Sequence, residues 1–389
     1  MDYDVIVVGG GPGGAMAART CAEKQLNVLL LEKERIPRYK PCGGAVSWKA
    51  LEIIGPIDEV QPQYKCYGAT VFSPNMRLSS YKLKEPASIL VFRDSFDHFL
   101  LKKAQEKGAV INSDEKVISV NIKNEHVCVV TTKDEYTAKI VIGADGVNST
   151  VARETGLRKK WEPDGYGICI ETEIELCSDD AEKFVLDREL IEAYFLKSRG
   201  YGWVFPKGNI MSIGIGLWKP INIKPVTAFD EFISFLSREK GIDLTAYPTQ
   251  RYIHRVPVGG FNRKTYGQKV LLVGDAAGFV DPFLGEGIYY AVASGVAAGE
   301  VAAEAIYDGT DLSSYSKKCD LLFNNDLRTA LWFGKIFHEH IEKIFYLFNK
   351  DPELFGMYVL TGKGAYDYRK YIKKCIFRIP ITLLKVAGI

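Results

Sequence analysis

The 389-residue sequence has almost no net charge: 50 Lys and Arg against 48 Asp and Glu leave +2. With no global field to recruit nucleic acid, no nucleic-acid partner is expected. No run of 18 uncharged apolar residues occurs, so no membrane-spanning helix is expected. The opening Met1-Asp2-Tyr3-Asp4, followed by the short apolar run Val5–Val8, lacks the basic and long apolar regions of a signal peptide. Eight Cys without a C-x-x-C pair, and only five His, make a structural zinc site unexpected, and no metal is assigned. Scattered thiols suit a reducing compartment, so a cytoplasmic chain is expected. Cys319 and Cys375 could pair if C-terminal helices bring them together. Internal repeats and low-complexity tracts are also missing. At 47% hydrophobic and 25% charged residues, disordered, collagen-like and coiled-coil chains are excluded, and the length suggests two or three packed units.

What the sequence does have is glycine in bursts, 36 in all. Asp4-Val-Ile-Val-Val8 reads as a buried parallel strand. Gly9-Gly-Gly-Pro-Gly13-Gly14 and an Ala-rich helix through about Glu23 follow, then the strand Asn27–Leu31 ending at Glu32. In Gly9-x-Gly11-x-x-Gly14, the first glycine permits a tight turn, the second lets a pyrophosphate approach and the third lets helix and strand pack closely. The pyrophosphate would sit on the helix N-terminus. Glu32, 18 residues after Gly14, would bind ribose hydroxyls and repel a 2′-phosphate, which favours FAD or NAD over NADP.

Further strands of nucleotide-binding type are read near residues 141 and 271, with antiparallel segments between them. A hairpin is read over Tyr67–Leu83 with its turn at Ser73-Pro74-Asn75. Residues 166–218 read as an antiparallel sheet. Helices are expected after Phe92, with Asp94 or Ser95 as N-cap, and over Gly285–Tyr307. The chain beyond Ser313 reads as helical, with breaks at Pro352, Gly362 and Pro380. The domains expected are 1–57, 85–155 and 262–318 for the cofactor, 58–84 and 156–261 for the substrate, and a helical region over 319–389.

Ala144-Asp145-Gly146, then Gly274-Asp275-Ala-Ala-Gly-Phe-Val-Asp-Pro282 leading to Gly285-Glu-Gly287-Ile288, resembles the FAD-dependent hydroxylase superfamily. The resemblance implies an α/β (α+β) fold, with a glutathione-reductase-type Rossmann FAD domain, an interleaved antiparallel-sheet substrate domain and a C-terminal helical segment. It implies that Asp275 binds the ribityl chain. It also implies that Gly287 and Ile288 meet the isoalloxazine, that Arg93 faces the phosphates and that the backbone near Val117 meets adenine. Asp145 reads either as nucleotide support or as turn chemistry.

Gly278 in place of the His common in hydroxylases, Lys40-Pro-Cys42-Gly43-Gly44-Ala45, and Tyr201-Gly-Trp203-Val-Phe205-Pro206 narrow the resemblance to the geranylgeranyl reductase family. Ser198 stands where the motif P-x-x-Y-x-W-x-F-P begins with Pro. The resemblance implies an FAD-dependent reductase that saturates C=C bonds of geranylgeranyl chains, with a phospholipid or diphosphate headgroup. Hydride would come from N5 of reduced FAD and a proton would reach the other alkene carbon. An external donor is implied: ferredoxin, NAD(P)H or a reduced deazaflavin. The alternatives are an oxygen-using hydroxylase or halogenase, and a quinone-directed electron carrier.

Tyr201, Trp203 and Phe205 alternate along a strand and share one face, which would line an isoprenoid channel or fill the sheet core; the polar handles of Tyr201 and Trp203 favour a catalytic-site role for those two. Cys42 either packs beside the flavin or presents its thiol to the reactive face as a proton source or redox-tuning group. Gly43, Gly44 and Ala45 would let backbone lie close to the ring. Arg35, Arg38 and Lys40 form a basic loop suited to a phosphate or to solvent. The apolar, Lys/Arg-interspersed tail from Tyr371 reads as a peripheral contact with the membrane inner face, or as ordinary helix packing.

Overall fold

Runs such as Val5–Val8 and Val28–Leu31 have no polar face, so they are satisfied only as strands covered on both sides. In the computed structural model, which describes residues 1–197, 200–218 and 223–387 (for 384–387 the backbone only), these runs are β1 (Tyr3–Val8) and β2 (Val28–Leu31), joined through α1 (Pro12–Glu23). Ser198 lies outside the described residues. The chain then forms β3 (Ala45–Ser47), α2 (Trp48–Ile54), β4 (Tyr64–Cys66), β5 (Gly68–Phe72), β6 (Leu78–Lys82) and β7 (Ser88–Leu90). The hairpin β5–β6 turns where expected, with Ser73 Oγ accepting from the N–H groups of Asn75 and Arg77.

Next come α3 (Arg93–Glu106), β8 (Val110–Asn112), β9 (Val117–Ile122), β10 (Val127–Thr131), β11 (Glu135–Gly143), α4 (Thr150–Glu154), β12 (Tyr166–Glu175) and α5 (Ser178–Phe184). β13 (Leu190–Phe195), β14 (Gly200–Lys207), β15 (Ile210–Leu217), α6 (Pro225–Lys240), β16 (Tyr252–Pro257) and β17 (Val270–Leu272) follow. The rest is helical: α7 (Gly274–Ala277), α8 (Ile288–Asp308), α9 (Ser314–Cys319), α10 (Asn325–Glu339), α11 (Ile341–Lys350), α12 (Pro352–Lys363) and α13 (Tyr368–Ala387).

Three sheets result. The first runs β8-β2-β1-β11-β10-β9, with β17 joining the C-terminal half of β11 in parallel. Its apolar strands form the main core with α1, α3 and α8. The second runs β16-β12-β15-β14-β13-β5-β6. It is antiparallel except between β13 and β5, which pair in parallel. The third is the small sheet β3-β7-β4. Helices α10–α13 set Phe337, Phe345, Phe348 and Phe355 against Ala69, Val71 and Phe195 of β5 and β13, so the C-terminal region covers one face of the second sheet.

Several boundaries differ from the sequence reading. Phe92 is the N-cap of α3 and no side chain caps it; Asp94 lies in the first turn and Ser95 Oγ donates to the Phe92 carbonyl. α8 begins at Ile288, not Gly285, because Asp281 holds residues 281–287 as a loop by accepting from the N–H groups of Phe283 and Leu284. Gly362 stays inside α12, whose C-cap is the left-handed Gly364. Pro380 lies inside α13 without ending it. Arg378 and Thr382, on either side of that proline, are both tied to the buried Asp351 at 2.7–2.8 Å, so the segment is held from α12. Cys319 and Cys375 are both free thiols.

Candidate active site

One cavity of about 1510 Å³ runs from the N-terminus of α1 to α12. Its first end is the turn after β1. Gly9 has φ +108°, and a Cβ there would fall 2.4 Å from the Ala144 carbonyl. A Cβ on Gly14 would fall 1.9 Å from the Gly9 carbonyl. Both positions thus require glycine for the turn and the helix–strand contact. Gly11 faces open cavity, its nearest neighbour being Arg38 Nη2 at 4.0 Å. Gly13 lines the cavity but is turned against Ala291 of α8. The free N–H groups and positive dipole end of α1 make this an anion site.

Glu32 ends β2 with its carboxylate buried, accepting from the N–H of Gly10 at 2.7 Å and of Glu34 at 3.0 Å. A buried row of alternating charge extends from it. Arg38 lies 3.7 Å from Glu32 and 3.1 Å from Asp97, and Arg93 binds both Asp97 oxygens at 2.8 and 2.9 Å. Arg93 is therefore not a surface side chain. Burial works against its charge, but Asp97 outweighs that and keeps the guanidinium ionised. Val117, at the start of β9, also lines the cavity. Asp145 accepts from Ser149 Oγ and from the N–H groups of Thr150 and Val151 at 2.5–3.0 Å, which is turn and helix-end chemistry.

In the middle stand Lys40, Cys42, His254 and Asp275. Lys40 Nζ lies 2.7 Å from His254 Nε2. Burial pulls Lys40 down to about 8 against the attraction of Asp275, and burial with Lys40 beside it pulls His254 down to about 3. The imidazole is thus neutral and accepts from the ammonium. Burial pushes the Asp275 carboxyl up while Lys40 and Arg93 oppose it. The Cys42 sulfur accepts from the Gly44 N–H at 3.4 Å. Gly43 and Gly44 serve the chain's own packing: a Cβ on Gly43 would fall 2.5 Å from the Phe205 ring, and one on Gly44 would fall 2.1 Å from the Val91 carbonyl. Ala45 lines the same wall.

Strand alternation puts Tyr201, Trp203 and Phe205 of β14 on the cavity side together. The Tyr201 hydroxyl donates to the Leu284 carbonyl at 2.9 Å, joining the aromatic strand to the loop before α8. Gly285 has φ +71°, and a Cβ there would meet that hydroxyl at 2.3 Å. Trp203 is buried, and its indole N–H has no partner among the described residues. Gly287 is the N-cap of α8 and Ile288 its first residue; both line the cavity. Beyond them the cavity becomes an apolar arm between Ala69, Val71, Ala193 and Phe195 of the second sheet and Tyr358 and Val359 of α12.

Sequence reasoning missed Glu171, on β12. It is 2% exposed, lines the cavity, and accepts from Ser212 Oγ at 2.9 Å. Burial pushes its carboxyl up to about 7, against the hydrogen bond from Ser212 and the charge of Lys207. The available signal was a pair of carboxylates, Glu171 and Glu173, two residues apart on a strand in Ile168-Cys-Ile-Glu-Thr-Glu-Ile174 and so on one face. His254 was missed as well, and Lys40 was placed only in a basic loop.

Comparison with known proteins gives the site its context. The family described as FAD binding domain matches residues 2–325. The chain is 32% identical to the digeranylgeranylglycerophospholipid reductase of Methanocaldococcus jannaschii, over 98% of this chain and 97% of that one. The crystal structure of a geranylgeranyl bacteriochlorophyll reductase-like protein from Thermoplasma acidophilum superposes with TM-score 0.75 at 26% identity, covering 86% and 87% of the two chains. A flavin-dependent brominase superposes with TM-score 0.78 at 21% identity over 97% of this chain and 98% of that one, which is a likeness of fold. The cofactor is FAD. The residues fit it: the α1 N-terminus presents free N–H groups to an anion, Gly11 leaves the approach open, and Glu32 stands buried at the end of β2.

Proposed function

We propose that this chain, which belongs to the FAD-binding-domain family and within it to the geranylgeranyl reductases, saturates C=C bonds of geranylgeranyl chains carried on archaeal-type membrane-lipid precursors. The observation that carries the reading is the continuity of one cavity from the dinucleotide cradle at Gly11 into an apolar arm under Tyr201, Trp203 and Phe205. An isoprenoid tail needs such an apolar sleeve, and its alkenes must reach the cofactor end one after another. Bound reduced FAD supplies the hydride.

The chain's residues do the rest. α1 and Glu32 hold the dinucleotide, with Arg93, Asp275, Gly287 and Ile288 as further contacts and Val117 at the adenine end. The aromatic face of β14 and the wall of α12 hold the alkene and exclude water, which fixes the reacting geometry. Tyr201 locks its strand to the 284–287 loop, so the substrate wall and the cofactor wall keep their spacing. Cys42, with Gly43–Ala45, forms the adjoining wall beside Phe205.

No helix among the described residues is long and apolar enough to cross a membrane. We place the chain peripherally at the membrane through α13, where Ile376 and Phe377 are 60% and 70% exposed beside Lys373, Lys374 and Arg378. An external electron donor completes the cycle: ferredoxin in two one-electron steps, or a nicotinamide or a reduced deazaflavin by hydride transfer.

The test is anaerobic. Purified protein is reduced chemically and mixed with digeranylgeranylglycerophospholipid or geranylgeranyl diphosphate. Product mass should rise in steps of two hydrogens as the flavin reoxidises, and the faster substrate identifies the headgroup. Unchanged lipid with flavin that stays reduced refutes the reading.

A further inference from the structure

Saturating an isolated alkene needs a proton as well as a hydride, and the cavity wall holds one carboxyl group built differently from its neighbours. Glu171 and Glu173 lie two residues apart on β12 and therefore point to the same face. Glu173 has a cation: Lys207 Nζ reaches it at 3.0 Å. Glu171 has none within ion-pair distance among the described residues, although it is the more buried, at 2% exposure for the residue against 22% for the Glu173 side chain. One of its oxygens accepts from Ser212 Oγ at 2.9 Å, and Oε2 has no hydrogen-bond partner among the described residues. Its carboxyl stands on the cavity wall with Cys42 next to it. An ionised carboxylate in that position would be a buried charge with no ion-pair partner among the described residues, a desolvation cost that favours the neutral form.

We propose that Glu171 is the proton donor of the reaction, a carboxylic acid held neutral against the cavity and spent on the alkene. This rests on the function proposed above. The O–H bond of Glu171 breaks and a C–H bond forms with the alkene π pair at the carbon where cationic character builds. The other carbon takes the hydride that the reduced cofactor supplies. The carboxylate left behind recovers its proton from solvent once the product leaves. The groups that set its proton affinity come from every neighbouring element. Glu173 on the same strand opposes ionisation, Lys207 on β14, Ser212 on β15 and the backbone N–H of Cys42 favour it, and Tyr39 and Cys169 flank it. Burial dominates and pushes the group up to about 7, so an acid is available at neutral pH.

The assay is single-turnover reoxidation of the reduced holoenzyme by a geranylgeranyl phospholipid, without oxygen. Glu171→Gln keeps the shape and can still accept from Ser212 but has no acidic proton. It should bind FAD and accept electrons as the parent does, while alkene-dependent reoxidation falls by roughly 10²–10⁴-fold, the usual weight of a general acid. Glu171→Asp should recover part of the rate. In the parent the rate should fall as pH rises through about 7. Ser212→Ala, which removes a hydrogen bond that favours ionisation, should move that limb to higher pH and serves if the Gln variant fails to fold. Parent-like turnover by Glu171→Gln, or a pH limb that Ser212→Ala does not move, overturns the assignment of Glu171. A parent enzyme that leaves every geranylgeranyl substrate unchanged overturns the function itself.

Discussion

A side-chain joint between the aromatic strand and the cofactor loop lies between Gly285 and Tyr201, and it can be measured by a double-mutant cycle. Gly285→Ala adds a methyl in a left-handed conformation, φ +71°, at 2.3 Å from the Tyr201 hydroxyl. The conformation alone costs about 1–2 kcal/mol, and forcing the ring aside costs about 1–3 kcal/mol more. Tyr201→Phe alone leaves the Leu284 carbonyl without its donor at 2.9 Å, which costs about 1–3 kcal/mol. In the double variant the clashing oxygen is gone. The next ring atom, Cζ, lies 3.5 Å from the added carbon, an ordinary contact, so only the conformational and hydrogen-bond costs remain. The double variant should therefore be more stable than the sum of the singles by about 1–3 kcal/mol, within the range seen for touching residues. Urea unfolding of the FAD-loaded protein, followed by far-UV circular dichroism and by flavin fluorescence, gives the four values. Additivity within about 0.5 kcal/mol would refute the claim that aromatic strand and cofactor loop are locked through this contact.

Other expectations follow from the same geometry. Glu32→Ala strands the buried N–H of Gly10 and frees the part-buried N–H of Glu34 and should weaken FAD binding about 10- to 100-fold, by some 1.5–3 kcal/mol, read by equilibrium dialysis. Glu171 ionises near its ordinary 4.5 when unfolded and near 7 when folded. The parent should therefore lose stability relative to Glu171→Gln as pH rises from 4.5 through 7, by at most about 3 kcal/mol; parallel melting temperatures across that range would contradict it. Replacing exposed Ile376 and Phe377 by Ser should abolish flotation with anionic vesicles while leaving turnover of detergent-solubilised substrate intact; unchanged flotation would remove α13 from the membrane contact.

The nucleotide-binding half was legible because its code is local. A strand buried on both faces must be a short apolar run, and a phosphate turn must be glycine where the chain crosses itself, as at Gly9 and Gly14. The aromatic trio was legible for the same reason: strand alternation puts residues 201, 203 and 205 on one face whatever the sheet packs against. The boundaries that failed were those set by distant partners. Pro380 sits inside a helix whose flanking side chains are tied to Asp351, and α8 starts late because Asp281 holds the preceding loop.

The sequence by itself determined the β-α-β unit, the acidic end of β2 and the family resemblance carried by the Cys-Gly-Gly and Tyr-x-Trp-x-Phe runs, since each depends on spacing along a few consecutive residues. Only the tertiary structure decided that β13 pairs in parallel with β5, that α12 walls the apolar arm, and that Gly43 makes room for Phe205. It also decided that Lys207 pairs with Glu173, so that among the described residues Glu171 has no cation within ion-pair distance. Those outcomes rest on contacts between residues tens to hundreds of positions apart, and the burial that raises a carboxyl's proton affinity is a property of everything packed around it.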